Sequence, residues 1–256
     1  MDPPGTWLQY AAIVDMLDRR RPGKRFVEIG CGDGSLSRQL LDRGFSGAGV
    51  DVSPQAIAEA QANLRPAIER GAYSLHLGSI EQIADERTFD VALSIMVVEH
   101  IEEPVAFVRS LARRVRPNGL VMIGAPGRKD HWSIEDETVG HLKRYEREEL
   151  EQLLRDAGLE EVEVWSIAVP VANFLFRIGN GLIRRSSTEM AKKYLAKSEQ
   201  TLTSGIRDIP FKTAFPAPFR WILNRRAMLP LALLQRFFYR SRLGITVLGC
   251  GRVARS

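Results

Sequence analysis

Cysteine is almost missing from this chain. Cys31 and Cys250 are the only two among 256 residues. Two thiols build no disulfide framework, which excludes the stapled secreted scaffolds and favours a reducing compartment. Long apolar runs are missing as well. The best candidate, residues 227 to 234, is eight residues long and is interrupted by Pro230, whereas a bilayer needs about 20. The opening Met1-Asp2-Pro3-Pro4-Gly5 lacks the basic stretch and apolar run of a secretory signal. These absences set the expectation of a cytoplasmic protein that does not span a membrane. Internal repeats and low-complexity tracts are absent too, which excludes solenoids and disordered arrays. What is present is 45% hydrophobic content, enough for a sizeable core in one large domain, or in one domain carrying an insertion.

The net charge of +5 hides a division. From Val169 onward, sixteen Lys and Arg stand against three acids (Glu189, Glu199, Asp208), a balance of +13 that leaves −8 on residues 1 to 168. An acidic half followed by a basic half suggests that the second meets an anionic surface or substrate. A solvated face on ordinary helices is the plainer reading of the same charges.

Hydrophobic spacing divides the first two thirds into alternating elements. Residues 7 to 18 have helical spacing, with Leu8, Ala11, Ala12 and Met16 on one face. Short apolar runs at 25 to 29, 47 to 51, 73 to 77, 89 to 95, 120 to 125 and 162 to 167 read as strands. Helices are expected at 34 to 42, 54 to 69, 103 to 115 and 147 to 157. The third of these is closed by the turn Arg116-Pro117-Asn118-Gly119, and the last by Gly158. Ser53-Pro54 supplies an N-cap and a proline at the first helical position. Such alternation predicts an α/β fold, a doubly wound parallel sheet with helices on both faces. Ligands of these sheets sit beyond the carboxyl ends of the strands.

At one such end stands Phe26-Val27-Glu28-Ile29-Gly30-Cys31-Gly32-Asp33-Gly34. A buried strand runs through an acid into three alternate glycines, and a helix follows. The glycines permit a tight turn and close approach of a ligand to the main chain. The helix start offers free N–H groups. The next strand ends in Asp51, whose carboxylate can accept both hydroxyls of a ribose. Two nucleotide-type ligands compete for this turn. The dinucleotide fingerprint G-x-G-x-x-G fits Gly30 and Gly32, but Ser35 stands in its third slot. Glu28 would also lie near the pyrophosphate, an unfavourable neighbour. A ligand with a cationic sulfonium and an amino-acid end tolerates that acid.

The pattern E-x-G-x-G-x-G, followed by an acid closing the next strand, resembles the class I S-adenosylmethionine-dependent methyltransferases. The resemblance implies S-adenosyl-L-methionine as cofactor. Glu28 and the loop of Gly30, Cys31, Gly32 and Gly34 would hold its methionine part, and Asp51 with Val52 its ribose end. Ser79 stands where the family usually has an acid contacting the adenine amine; a hydroxyl still accepts one hydrogen bond, and Ile80 would pack on the ring. Ser94 completes the expected contacts. The same resemblance implies a seven-stranded Rossmann-like sheet whose last strand, residues 244 to 253, enters antiparallel between strands five and six. The chain would then consist of a core over 1 to 168, a basic helical insertion over 169 to 243 and a closing strand over 244 to 256.

Beyond strand four, Val97-Val98-Glu99-His100-Ile101 resembles a subgroup that includes quinone-biosynthesis O-methyltransferases. Some relatives bind a divalent metal through Glu-x-x-Glu-His. Here Met96 stands at the first acid, so no metal is expected. Gly140-His141-Leu142-Lys143-Arg144-Tyr145 resembles the same subgroup. His141 is the leading candidate for general base, since imidazole titrates near neutral pH; His100 is the second. Glu99, His131, Trp132, Arg144 and Tyr145 are expected to line the acceptor pocket. A structural role competes for several of them: Glu99 and His100 as helix caps, His141 and Arg144 as bonds tying the loop to the domain.

Methyl transfer from a sulfonium is an in-line displacement that asks mainly for alignment and exclusion of water. The leading expectation is therefore O-methylation of a small acceptor: aromatic, quinol-like, or linked to a lipid or sugar. A nucleic-acid methyltransferase is one alternative, but Ser94-Ile95-Met96-Val97 stands where amino-methylating enzymes carry Asp/Asn-Pro-Pro-aromatic. No nucleic-acid partner is expected. A non-catalytic cofactor-binding protein is the other alternative. The insertion mixes Phe174, Phe176, Phe215, Phe219 and Trp221 with arginines. That mixture suits a lid, an anionic membrane surface with peripheral attachment, or a homodimer face.

Overall fold

The computed structural model describes residues 4–84, 88–133, 136–137, 139–170, 173 and 225–255. Phe174, Phe176, Phe215, Phe219, Trp221 and their neighbouring arginines lie outside the described residues.

Seven strands form one sheet in the order β3-β2-β1-β4-β5-β7-β6. They are β1 (Arg25–Ile29), β2 (Ser46–Asp51), β3 (Tyr73–Leu77), β4 (Phe89–Ile95), β5 (Val115–Pro126), β6 (Leu159–Ile167) and β7 (Thr246–Val253). The first five run parallel, and β7 enters antiparallel between β5 and β6. The expected fold class is therefore the observed one, and the chain between β6 and β7 is an insertion within the sheet's connectivity. The central strand β4 is enclosed on both faces, with Val91, Ala92 and Leu93 fully buried. Its near-continuous apolar run is what a parallel strand covered by helices on both faces requires.

The helices are α1 (Pro4–Arg20), α2 (Ser35–Leu41), α3 (Pro54–Glu69), α4 (Pro104–Arg113), α5 (Arg147–Asp156) and α6 (Arg225–Gln235). Residues of α1, α2 and α3 share one core with Phe26, Tyr73 and Leu93. Residues of α4 and α5 share a second with Val27, Val50 and Ile123. In α4, Val108 and Leu111 are fully buried; a side chain so enclosed contributes about 1.5–3 kcal/mol over its exposed state. Ser53 caps α3 by accepting from the Ala56 N–H at 3.3 Å, and Pro54 occupies the first turn. A reciprocal capping box, Glu146 with Glu149, opens α5. The far end of the insertion is fastened to the start of the chain: Gln235 donates to Leu8 O at 3.1 Å and accepts from the Ala168 N–H at 3.0 Å.

Two boundaries depart from the sequence expectation. The helix expected to reach residue 115 stops at Arg113, and β5 begins at Val115 rather than at Leu120. The turn residues Arg116 to Gly119 form an irregularity inside the strand, where the register passes from Phe89↔Val115 to Val91↔Leu120. Asn118 at φ 65 absorbs the excursion, and Arg116 pairs with Asp90 at 2.6 Å. Likewise β6 begins at Leu159, with a bulge between Glu160 and Glu163 that hides its first residues from a simple alternation.

Candidate active site

The carboxyl ends of β1, β2, β3, β4 and β5 share one edge of the sheet. At β1 the chain turns through Gly30 (φ 77), Gly32 (φ 55) and Gly34 (φ 78), all in the left-handed region that side chains disfavour. A Cβ on Gly30 would lie 2.3 Å from Val97 Cγ2, and one on Gly34 2.6 Å from Leu64. One on Gly32 would meet nothing within 4 Å. The loop is thus packed from below at two points and open above at the third.

Asp51 ties this loop to β2. Its Oδ2 accepts the Gly32 N–H at 2.8 Å and its Oδ1 accepts the Ser53 N–H at 2.9 Å. Each oxygen keeps further lone-pair capacity, so two neighbouring hydroxyls can still be accepted. Beside it Val52 is 73% exposed, an apolar side chain held out at the strand end. Ile80 is buried, and the Ser79 hydroxyl donates to Glu81. That bond holds the Glu81 carboxyl below its ordinary range. An acid therefore stands beside the position where the sequence showed only a hydroxyl.

Glu28 lies beneath the loop, 3% exposed. Ser37 Oγ donates to it at 2.6 Å, and Tyr73 OH lies 2.6 Å from the same hydroxyl. Burial raises the Glu28 carboxyl to about 8, with the Ser37 bond opposing and the charges of Asp33 and Asp51 adding to the rise. Cys31 is buried beside it. Ser94 is fully buried, and its Oγ has no hydrogen-bond partner among the described residues.

The second half of the site begins at the end of β4. Met96, at φ 60, donates its N–H to Gly124 O at 2.8 Å. Val97 packs on Gly30, and a single 3-10 turn, Val98–His100, follows. Glu99 is thereby fully buried one turn away from the glycine loop. The loop between β5 and α5 folds over it. Leu142 N–H donates to Glu99 O at 2.8 Å, and Tyr145 N–H to Pro126 O at 2.9 Å.

At the centre of that loop is Asp136, which sequence reasoning missed. It is 0% exposed. It accepts from Ser133 N–H at 2.8 Å, Arg144 Nε at 2.8 Å, Arg144 Nη2 at 2.9 Å and His141 Nδ1 at 2.8 Å. Burial pushes its carboxyl up, but the bonds from His141 and Arg144 outweigh this and hold it well below the usual carboxylate range. An ionised carboxylate only accepts, so His141 donates through Nδ1, while its buried Nε2 has no hydrogen-bond partner among the described residues. Nε2 lies 3.7 Å from Glu99 Oε1. His100 stands edge-on to His141, ring centroids 4.9 Å apart, and bonds through Nδ1 to Gly140 O at 3.1 Å. A carbonyl likewise only accepts, so His100 donates to it through Nδ1.

The structure therefore brings Glu99, His100, His141 and Arg144 together. Glu99, His100 and His141 offer ligand atoms within 4.8 Å of one another, a set of two imidazoles and one carboxylate that could hold a cation. The expectation of no metal counted only the run around Glu99 and could not count His141. Arg144 directs its remaining donor to Gly127 O at 3.0 Å. Tyr145 is 2% exposed in the core, and burial with the neighbouring Glu99 and Glu149 charges pushes its hydroxyl up to about 12. His131 and Trp132 stand further along the loop, paired with Asp130 at 3.1 Å and Glu137 at 3.3 Å. Asp136 had a faint signal: it lies five positions before His141 and eight before Arg144.

A family model described as a methyltransferase domain matches residues 8–164. The mitochondrial ubiquinone biosynthesis O-methyltransferase of Schizosaccharomyces pombe is 39% identical over 108 residues, which cover 41% of this chain and 39% of that protein. The ubiquinone biosynthesis O-methyltransferase of Aromatoleum aromaticum is 27% identical over 184 residues, covering 65% of this chain and 78% of that one. The chain thus spans well under half the length of the first of these relatives. Among solved structures, phosphoethanolamine N-methyltransferase 2 of Haemonchus contortus, in complex with S-adenosyl-L-methionine, superposes with a TM-score of 0.58 at 18% identity, over 99% of this chain and 54% of that one. That likeness is one of fold. With the family model spanning most of the sheet, the chain belongs to the methyltransferase-domain family.

Proposed function

We propose that the chain transfers the methyl group of S-adenosyl-L-methionine to a hydroxyl of a small, quinol-like aromatic acceptor. The observation that carries this reading is the join between two half-sites. Val97 packs on Gly30 of the open glycine loop, and two residues on Glu99 faces His141 Nε2 at 3.7 Å. The two relatives are ubiquinone biosynthesis O-methyltransferases, which points to oxygen as acceptor.

When bound, S-adenosyl-L-methionine supplies an electrophilic methyl on a cationic sulfur. The residues of the chain do the rest. The Gly30–Gly34 backbone and Asp51 hold the methionine and ribose ends. Val52 and Ile80 offer apolar surface to the base, with Ser79 and Glu81 at its amine. His141 Nε2 takes the acceptor's hydroxyl proton. The acceptor oxygen, so activated, would take that methyl in line, with S-adenosylhomocysteine as the leaving product. The proton leaves later from the imidazolium to water. Base assistance of this kind is worth about 10²–10⁴-fold.

Among the described residues no helix is long and apolar enough to cross a membrane. The lid, peripheral-membrane and dimer readings of residues 169 to 243 rest on composition, on cytoplasmic placement as expected from sequence, and on the exposure of Leu229, Leu233 and Phe237. Co-sedimentation with anionic vesicles at low salt tests the membrane reading, and no binding would remove it.

The function is tested by binding and turnover. S-adenosylhomocysteine should bind with one site per chain by calorimetry. Tritiated S-adenosylmethionine should label catechol-type acceptors and not their dimethyl ethers. Binding without label transfer to any hydroxyl acceptor would leave the non-catalytic alternative.

A further inference from the structure

We propose that Glu99, His100 and His141 form a binding site for a first-row divalent cation of the zinc type. The three are not neighbours in sequence. Glu99 and His100 follow β4 in a single 3-10 turn, and His141 comes to them from the loop between β5 and α5. Their ligand atoms lie within 4.8 Å of one another, and His141 Nε2 is already 3.7 Å from Glu99 Oε1. The ligands of a tetrahedral zinc, each about 2.0–2.2 Å from the metal, stand about 3.3 Å apart, so side-chain shifts on the order of 1 Å close the set on a cation.

What lies behind the imidazoles favours the same reading. A metal-bound histidine typically donates its other ring N–H to a carboxylate or a backbone carbonyl, which sets the ring and strengthens it as a ligand. His141 Nδ1 meets Asp136 Oδ1 at 2.8 Å, and His100 Nδ1 meets Gly140 O at 3.1 Å. Each ring thus has one of the two kinds of partner, and Nε2 is the nitrogen it can offer to a metal. Asp136 is itself held at both oxygens by Arg144, at 2.8 and 2.9 Å, so the His141 ring stands on a fixed support. The Nε2 of His141 is buried with no hydrogen-bond partner among the described residues, a costly arrangement that a cation relieves. Glu99 is fully buried, and an opposite charge beside a carboxylate counts most where water is excluded. Two imidazoles and one carboxylate suit zinc-like ions and not magnesium, which asks for an octahedral shell of oxygens. Three protein ligands leave a fourth position for water. His100 is only half-buried, so it is the member that an entering cation meets first.

Occupancy has a consequence for turnover. A cation at Nε2 takes the lone pair that the proposed mechanism gives to the acceptor's proton, so the loaded protein is the inactive one. That consequence rests on the O-methylation reading above, whereas the binding does not. Protein stripped with a chelator should take up one Zn²⁺ per chain by calorimetry, with Mg²⁺ in large excess failing to compete. Zinc-edge X-ray absorption of the loaded wild-type protein should show two imidazoles and oxygen in the metal's shell. No stoichiometric uptake, or a shell of oxygens alone, overturns the site, and neither measurement needs a variant that folds. Asp136→Asn should weaken Zn²⁺ by about 10–100-fold, the usual cost of losing the partner behind a ligand, and His100→Gln by at least as much. Zinc affinity unchanged in a folded His100→Gln also overturns the site. Turnover on catechol should fall in step with Zn²⁺ uptake and return on chelation. Uptake into the two-imidazole shell with no loss of turnover leaves the metal site standing and overturns His141 as the base instead.

Discussion

The two halves of the site are made in opposite ways. The half around Gly30 to Gly34 is built of backbone: positive φ values, N–H groups held by Asp51, and side chains kept away. The half around His141 is built of side chains buried and bonded to one another, with Asp136 at the hub. A backbone site tolerates few residue types and gains little from any single polar group. A side-chain site hangs on individual atoms. Losses in the second half should therefore fall on turnover, and losses in the first on binding.

The largest effect expected is that of His141→Ala. Turnover on a catechol should fall by about 10²–10⁴-fold, with S-adenosylhomocysteine affinity within about twofold of wild type. Single-turnover kinetics and calorimetry on the same preparation measure the two quantities. Equal losses of both would break the division between the halves. Next comes Asp51→Ala, where the pattern should reverse. Removing a carboxylate that accepts from Gly32 and Ser53, and that faces the ribose in the proposed mode, should weaken S-adenosylhomocysteine by about 10²-fold, at about 1.5–3 kcal/mol for a hydrogen bond to a charged group. At saturating cofactor, kcat should recover most of its value.

The same contrast explains what could be read from the chain before its structure. Gly30, Gly32 and Gly34 stand in sequence as they do in space, because a tight turn leaves its mark on consecutive residues. Asp51 was legible for the same reason, being the residue that closes a strand. The parallel sheet followed from strand and helix alternation, and the antiparallel entry of the last strand between strands five and six from the family resemblance. The His141 half was only partly legible. The motif around His141 pointed to the right loop, but the partner that orients the ring is an unremarkable acid five positions earlier. Its spacing to His141 and Arg144 is only a faint mark, since the loop is irregular and its contacts come from folding over Glu99. The start of β5 was hidden because a proline-glycine turn reads as an end rather than as an excursion within a strand.

A third prediction tests the join between the halves. Gly30→Ala adds a Cβ at φ 77 and sets it 2.3 Å from Val97 Cγ2. A non-glycine residue held in this region costs about 1–3 kcal/mol, and the clash adds to it. The melting temperature should fall by roughly 2–4 °C for each kcal/mol lost in a chain of this size. Val97→Ala on that background should return part of the loss by relieving the clash, leaving the backbone share. If Val97→Ala returned nothing, the packing of the two halves on each other would not be what the geometry indicates.

The smallest effect concerns Glu28, which belongs to the backbone half but behaves as a buried side chain. Burial raises its carboxyl from 4.5 to about 8 in the folded protein. The folded state therefore holds this proton more tightly than the unfolded state does. Its contribution to stability is fully present below about pH 4.5 and is lost as pH rises toward 8, a slope that Glu28→Gln should flatten. A further consequence separates a structural Glu28 from one that meets the cofactor. If the cationic methionine end settles near Glu28, the carboxyl is drawn back toward its ordinary value. Cofactor binding at pH 7 should then release a fraction of a proton. Calorimetry of S-adenosylmethionine binding in phosphate and in Tris, whose ionisation enthalpies differ widely, reads that proton directly. Equal heats in the two buffers would place Glu28 with Ser37 and Tyr73 as an internal bond of the fold. Unequal heats that become equal in Glu28→Gln would assign the released proton to this carboxyl, making Glu28 the one side chain in the backbone half whose state depends on the ligand.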